Sequence, residues 1–155
     1  MTNRSFTFAL LAMTAAAALL LNAVPTQAAA TEEIARPSNA GGPGEAAMMS
    51  GDAQAGAELF AVNCMPCHGA EGKGGIPNPG SADGTVPPLN PIDETMVSKD
   101  PKVFAYNIDL FIQNGSTPAG QNPAIKMPSW GIDRMLTQQQ IANLIAYLMS
   151  LNPVR

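Results

Sequence analysis

Apolar residues fall at helical spacing in three stretches of the chain, and nowhere do they alternate in the two-residue rhythm of a half-buried strand. The first stretch, Asp52 to Asn63, carries Leu59 and Phe60 on its apolar side, with Ser50 or Asp52 placed to cap its start. The second begins at Asp100 and sets Pro101 in the first turn, where a backbone N–H has no helical partner to lose. It carries Val103, Phe104, Ile108, Phe111 and Ile112, and Gly115 suits the left-handed residue that ends a helix. The third opens at Thr137, whose spacing to Gln140 predicts a capping box. Ile141, Leu144, Ile145 and Leu148 follow, and Asn152-Pro153 ends it. Between the first two helices lies "GKGGIPNPGSADGTVPPLNPID", too crowded with glycine and proline for a regular element. No internal repeat is visible. The pattern predicts a small, loop-rich, all-α domain of three to four helices. A polypeptide core this thin is marginal by itself, so something else is expected to fill its centre.

The start of the chain follows a different logic. Arg4 supplies a positive charge, Ala9 to Val24 ("ALLAMTAAAALLLNAV") is an apolar run, and small residues suited to cleavage reach Ala28 and Ala30. That is the pattern of a secretory signal peptide over residues 1–30. The alternative is an uncleaved anchor tethering the chain to a membrane or a membrane complex. The run is shorter than the ~20 residues of a spanning helix and rich in weakly apolar alanine. On either reading the remainder is delivered outside the cytoplasm, to the periplasm or its equivalent. Residues 31–50, "TEEIARPSNAGGPGEAAMMS", have no apolar periodicity and read as a flexible linker, which leaves 51–155 as the folded domain.

Charge narrows the partners. The 155 residues include 8 basic and 12 acidic side chains, for a net charge of −4. Removing residues 1–30 takes away only Arg4, so the exported chain stands near −5. Nucleic acid and anionic lipid select basic surfaces, and neither suits this one.

The chemistry is concentrated in one place. Both cysteines of the chain and its one histidine lie in "NCMPCHGAEGKGG", as Cys64, Cys67 and His68. A disulfide is permitted in an exported protein, but a Cys-x-x-Cys redox motif belongs in a βαβ setting that this chain lacks. Structural zinc wants four ligands, and a catalytic cysteine normally finds its histidine far off in sequence. What remains is Cys-x-x-Cys-His, the attachment pattern of c-type haem. Two thiols about a helical turn apart can add to the two vinyl groups on one edge of the porphyrin. The adjacent imidazole then lies under the iron. Such a group would also supply the missing core.

These residues carry a resemblance. "GDAQAGAELFAVNCMPCHG" is similar to the first helix and haem loop of class I cytochromes c. "KMPSWG" resembles that family's methionine-bearing loop, and "LTQQQIANLIAYLMSLNP" its closing helix. The resemblance spans Gly51 to Pro153, with its three motifs in order. It implies the small cytochrome c fold, its helices wrapped around one covalently bound haem c, and one-electron transfer. It further implies His68 and Met127 as axial ligands of the iron. Met127 lies in a non-helical loop where Pro128 favours an extended backbone; Met96, in "DETMVSKD", is the other loop methionine considered. In "TVPPLN", the family's Pro-x-Leu spacing makes the Pro87 carbonyl the acceptor for the second ring nitrogen of His68, with Leu89 packing on the porphyrin. Trp130 is placed beside the haem, where it can reach a propionate or simply pack. Gly56, Phe60, Leu144 and Tyr147 resemble the crossing point of the first and last helices.

Two functions of different class follow. One is a carrier passing electrons between a redox-protein donor and acceptor, with no small-molecule substrate because both axial positions are filled. The other is a haem enzyme or gas sensor whose distal ligand is absent or displaceable. A third variant keeps the chemistry but makes the chain a tethered subunit of a larger oxidoreductase.

Overall fold

The computed structural model describes residues 42–154. The chain divides into two units, Met1–Glu33 and Ile34–Arg155, and everything described belongs to the second. The export segment read from residues 1–30 and the first part of the linker lie outside the described residues.

Four α-helices and three short 3-10 turns make up the regular structure, with two isolated β-bridges and no strand among the described residues. Helix α1 is Ala53–Asn63, α2 the single turn Met65–His68, α3 Pro101–Asn114 and α4 Gln138–Leu151. Their ends follow the capping chemistry of the sequence. The Asp52 carboxylate accepts from the N–H groups of Gln54 and Ala55, and the Asp100 carboxylate accepts from Lys102 N–H. At α4, Thr137 Oγ1 accepts from Gln140 N–H while Gln140 Oε1 accepts from Thr137 N–H, so two orphan donors are satisfied reciprocally.

Helices α1 and α4 cross at Gly56. A Cβ there would run into the Asn143 carbonyl oxygen and lie 2.8 Å from Tyr147 Cβ, so only glycine allows this approach. Phe60 and Tyr147 fill the space beside it, their ring centroids 5.3 Å apart at an interplanar angle of 55°. Helix α3 lies against α4, and Phe104, Ile108, Ile112, Ile141, Leu144, Ile145 and Leu148 form the buried core between the elements.

Residues 42–50, which by composition end a flexible linker, are docked on the domain. Ala46–Met48 form a 3-10 turn with Ala46 only 1 % exposed. Ala46 N–H donates to Gln138 Oε1 at 3.0 Å, and Ala47 N–H donates to Asp109 Oδ2 at 3.2 Å. The Asn114 side chain reaches back to the Gly42 carbonyl. The segment is held largely by its backbone, against the buried Asp109 of α3 and the half-buried Asn114 and Gln138, with Ala46 alone entering the core, which leaves no apolar periodicity to read. Asp109 itself is fully buried, and Gln113 Nε2 donates to its other oxygen at 2.9 Å. Burial raises its carboxyl above the ordinary value, while the bonds from Gln113 and from the Ala47 and Gly44 backbones pull the other way.

Candidate functional site

Helix α1 ends by delivering Cys64, whose N–H still donates to the Phe60 carbonyl. The chain then turns once more as α2: Cys67 N–H and His68 N–H both donate to the Cys64 carbonyl, at 3.1 and 2.8 Å. Gly69, with φ +75°, breaks the helix immediately after. This turn carries Cys64, Cys67 and His68 together to the wall of one cavity. Both cysteines are half-buried and unbridged. Burial, and secondarily the neighbouring Cys67, pushes the Cys64 thiol up to about 12. Redox and catalytic cysteines have their pKa lowered, so Cys64 is poorly suited to act as the attacking thiolate of thiol–disulfide exchange.

His68 is oriented from the next loop. Its Nδ1 lies 3.1 Å from the Pro87 carbonyl oxygen. A carbonyl can only accept, so Nδ1 carries the proton, and in the neutral ring Nε2 keeps its lone pair for a metal. Burial lowers the imidazole pKa, which favours that neutral form, and the Pro87 bond acts in the opposite sense. The Pro87 segment is anchored on both sides: Val86 N–H donates to Ile76 O at 2.8 Å, and Leu89 N–H donates to Gly72 O at 2.7 Å.

The other wall comes from the loop between α3 and α4. Ser116 and Met127 exchange both backbone hydrogen bonds, at 2.8 and 3.1 Å. Gly115 makes this pairing feasible, because it combines a φ of +67° with contact so close that a Cβ would overlap the Met127 carbonyl oxygen. Met127 and Trp130 both line the cavity, half-buried. Met96 does not; it is buried in the core at the end of the 3-10 turn Glu94–Met96.

The cavity has a volume of about 310 Å³, within the range of sites for small molecules and cofactors. Cys64, Cys67, His68, Pro87, Leu89, Met127 and Trp130 all line it, and the rest of the wall is mainly apolar, including Phe60, Ile112, Val86, Leu144 and Leu148. Two thiols, an imidazole with a fixed tautomer and a thioether form a donor set suited to a covalently held iron macrocycle. Among the described residues, no cluster of three His, Cys, Asp or Glu side chains is arranged to hold a bare ion. The residues present fit haem.

The sequence profile described as Cytochrome c matches residues 53–152, from the first residue of α1 to the residue that caps α4. The chain belongs to the cytochrome c family. Family membership brings an all-α fold, covalently bound haem c and haem-based electron transfer. No curated protein and no solved structure matches this cytochrome at a significant level.

Sequence reasoning missed part of the wall. Asn78 lines the cavity with 0 % exposure, and Ile125 lines it two residues ahead of Met127. The sequence signal for Asn78 was slight: one polar residue between two prolines in "IPNPG".

Proposed function

We propose that this cytochrome carries single electrons between redox proteins outside the cytoplasm, through one haem c ligated by His68 and Met127. Bound in the cavity, the haem would supply a ferric/ferrous one-electron couple. Cys64 and Cys67 would hold it by two thioether links. His68 offers Nε2 to the metal because the Pro87 carbonyl retains the proton on Nδ1. Met127 offers a soft sulfur, which favours the ferrous state and raises the potential relative to harder ligands. The apolar wall keeps water from the iron. With His68 and Met127 both holding the iron, no coordination position would remain for a substrate, which favours a carrier over an enzyme. Val62 and Met65, 74 % and 41 % exposed, flank the cysteines and give this edge an apolar rim suited to brief docking by a donor or acceptor protein.

The observation that supports the reading best is that Met127 shares one cavity with Cys64, Cys67 and His68 although it is remote from them in sequence. A potentiometric titration of the native protein, followed in the visible spectrum, tests it. The expected result is one reversible one-electron wave, a weak red methionine–iron(III) band in the oxidised form and a reduced form that ignores carbon monoxide. Rapid carbon monoxide binding would mean an open distal face and an enzyme or sensor. The apolar run at Ala9–Val24 supports export, so native material should begin near Ala29 or Thr31. An intact Met1 in the membrane fraction would replace the free carrier by a tethered one. Among the described residues, no helix is long and apolar enough to cross a membrane.

A further inference from the structure

Asn78 does something that neither the haem motif nor the family match assigns. Its side-chain amide is divided between the two backbone groups of one residue. Nδ2 donates to the Ile125 carbonyl at 3.0 Å, and Oδ1 accepts from Ile125 N–H at 2.7 Å. Its own backbone is fixed within the glycine- and proline-rich loop. Asn78 N–H donates to Gly84 O at 2.8 Å, and its carbonyl accepts from Ser81 N–H and Ser81 Oγ at 3.1 and 2.8 Å. Ala124 N–H donates to Pro79 O at 2.9 Å, so the two loops are also joined beside the amide. Among the described residues Ile125 has no other backbone hydrogen bond.

We propose that Asn78 is a positioning residue for Met127: by clamping the backbone two residues ahead of it, Asn78 sets how firmly the methionine sulfur is held on the iron. The inference rests on Met127 being the axial ligand. The segment approaching Met127 belongs to no helix, so its hydrogen bonds to neighbouring loops carry much of its restraint. Ser116 fixes Met127 itself, and Asn78 fixes Ile125. Without the amide, two backbone groups of Ile125 are left unpaired beside an apolar cavity, a state relieved when the loop lifts and water enters. Lifting the loop carries the sulfur off the metal. Asn78 therefore governs a local opening that is separate from global unfolding.

The test uses the haem-loaded protein. Carbon monoxide binding to the reduced form reports transient release of Met127, and the red band of the oxidised form reports the bond itself. Asn78→Ala should raise the carbon monoxide association rate about tenfold or more, the effect of leaving even one of the two part-buried Ile125 groups unpaired. Its red band should disappear at a lower temperature than the far-ultraviolet helix signal, whereas the two coincide in the wild type. Asn107→Ala is the control for a general loss of stability, because Asn107 donates to the Met96 carbonyl in the core, away from the cavity. It should lower the unfolding temperature while leaving the carbon monoxide rate within about twofold, since a global change does not alter a local opening. Should Asn78→Ala fail to fold, Asn78→Ser, a smaller polar side chain too short to hold both groups of Ile125, should shift the rate in the same direction. A rate in the Asn78 variants no greater than in Asn107→Ala overturns the proposal. Met127→Ala, measured alongside, separates the two levels. If the wild type lacks the red band and binds carbon monoxide as fast as Met127→Ala, the ligand reading fails and takes this inference with it.

Discussion

Replacing Gly56 by alanine probes the crossing on which the domain is assembled. The added Cβ would overlap the Asn143 carbonyl oxygen and stand 2.6 Å from its carbon and 2.8 Å from Tyr147 Cβ, where ordinary contact begins at 3.4 Å. Most of those atoms are backbone or sit at the root of a side chain, so no rotamer change relieves them. The helices must part instead, loosening the Phe60–Tyr147 contact and the Asp52 N–H bond to Asn143 Oδ1. Overpacking of this kind costs about 3 kcal/mol at the upper end of its usual range. Alanine returns about 1 kcal/mol through its better helix propensity. The net destabilisation is about 2 kcal/mol, which for a domain near 100 residues corresponds to a fall of about 8 °C in melting temperature. Thermal unfolding of the oxidised holoprotein, followed by far-ultraviolet circular dichroism, measures it. A melting temperature equal to or above that of the wild type would show that helix propensity outweighs the clash and that the crossing is not close-packed.

Met127→Ala should abolish the red band, lower the reduction potential and let carbon monoxide bind the reduced form quickly, whereas Met96→Ala should change none of these; the reverse pattern would move the ligand to Met96. Asp109 offers a pH test. A carboxyl whose folded pKa is raised by burial binds its proton more tightly folded, so its share of stability is complete below the unfolded value near ~3.9 and is lost as pH rises through the raised folded value. The stability advantage of wild type over Asp109→Asn, read by urea unfolding from about pH 4 to pH 7, should therefore be widest in acid and narrow towards neutrality. A gap that widens with pH would contradict the burial of Asp109.

Much of the scaffold was legible because its signals are local. Of Ser50 and Asp52, Asp52 caps α1; Thr137 caps α4 as expected; α3 starts at the Asp100-Pro101 step that marked it, and Gly115 ends it. The Cys64–His68 motif is a contiguous string, and Met127 is marked by the proline after it. The Pro-x-Leu spacing pointed to Pro87, and the structure sets that carbonyl against His68 Nδ1. What escaped detection is bonding between side chains and distant backbone. Asn78 and Ile125 are 47 residues apart, and nothing periodic links them. The docking of Ala46 and Ala47 on Gln138 and Asp109 spans 92 and 62 residues and uses alanine N–H groups that any residue type would offer. A buried aspartate and two glutamines on helices whose pattern otherwise reads as apolar in, polar out gave no hint of a partner. Composition made the 42–50 segment look like a tether because much of its contribution comes from its backbone.

Every proposed functional step depends on one covalent haem on Cys64 and Cys67, and mass spectrometry of the native protein after acid–organic extraction reads it directly. The peptide containing Cys64, Cys67 and His68 should carry the added mass of one iron porphyrin joined through two thioethers. Haem that is removed by extraction, or a peptide found with a Cys64–Cys67 disulfide, would contradict the proposed site.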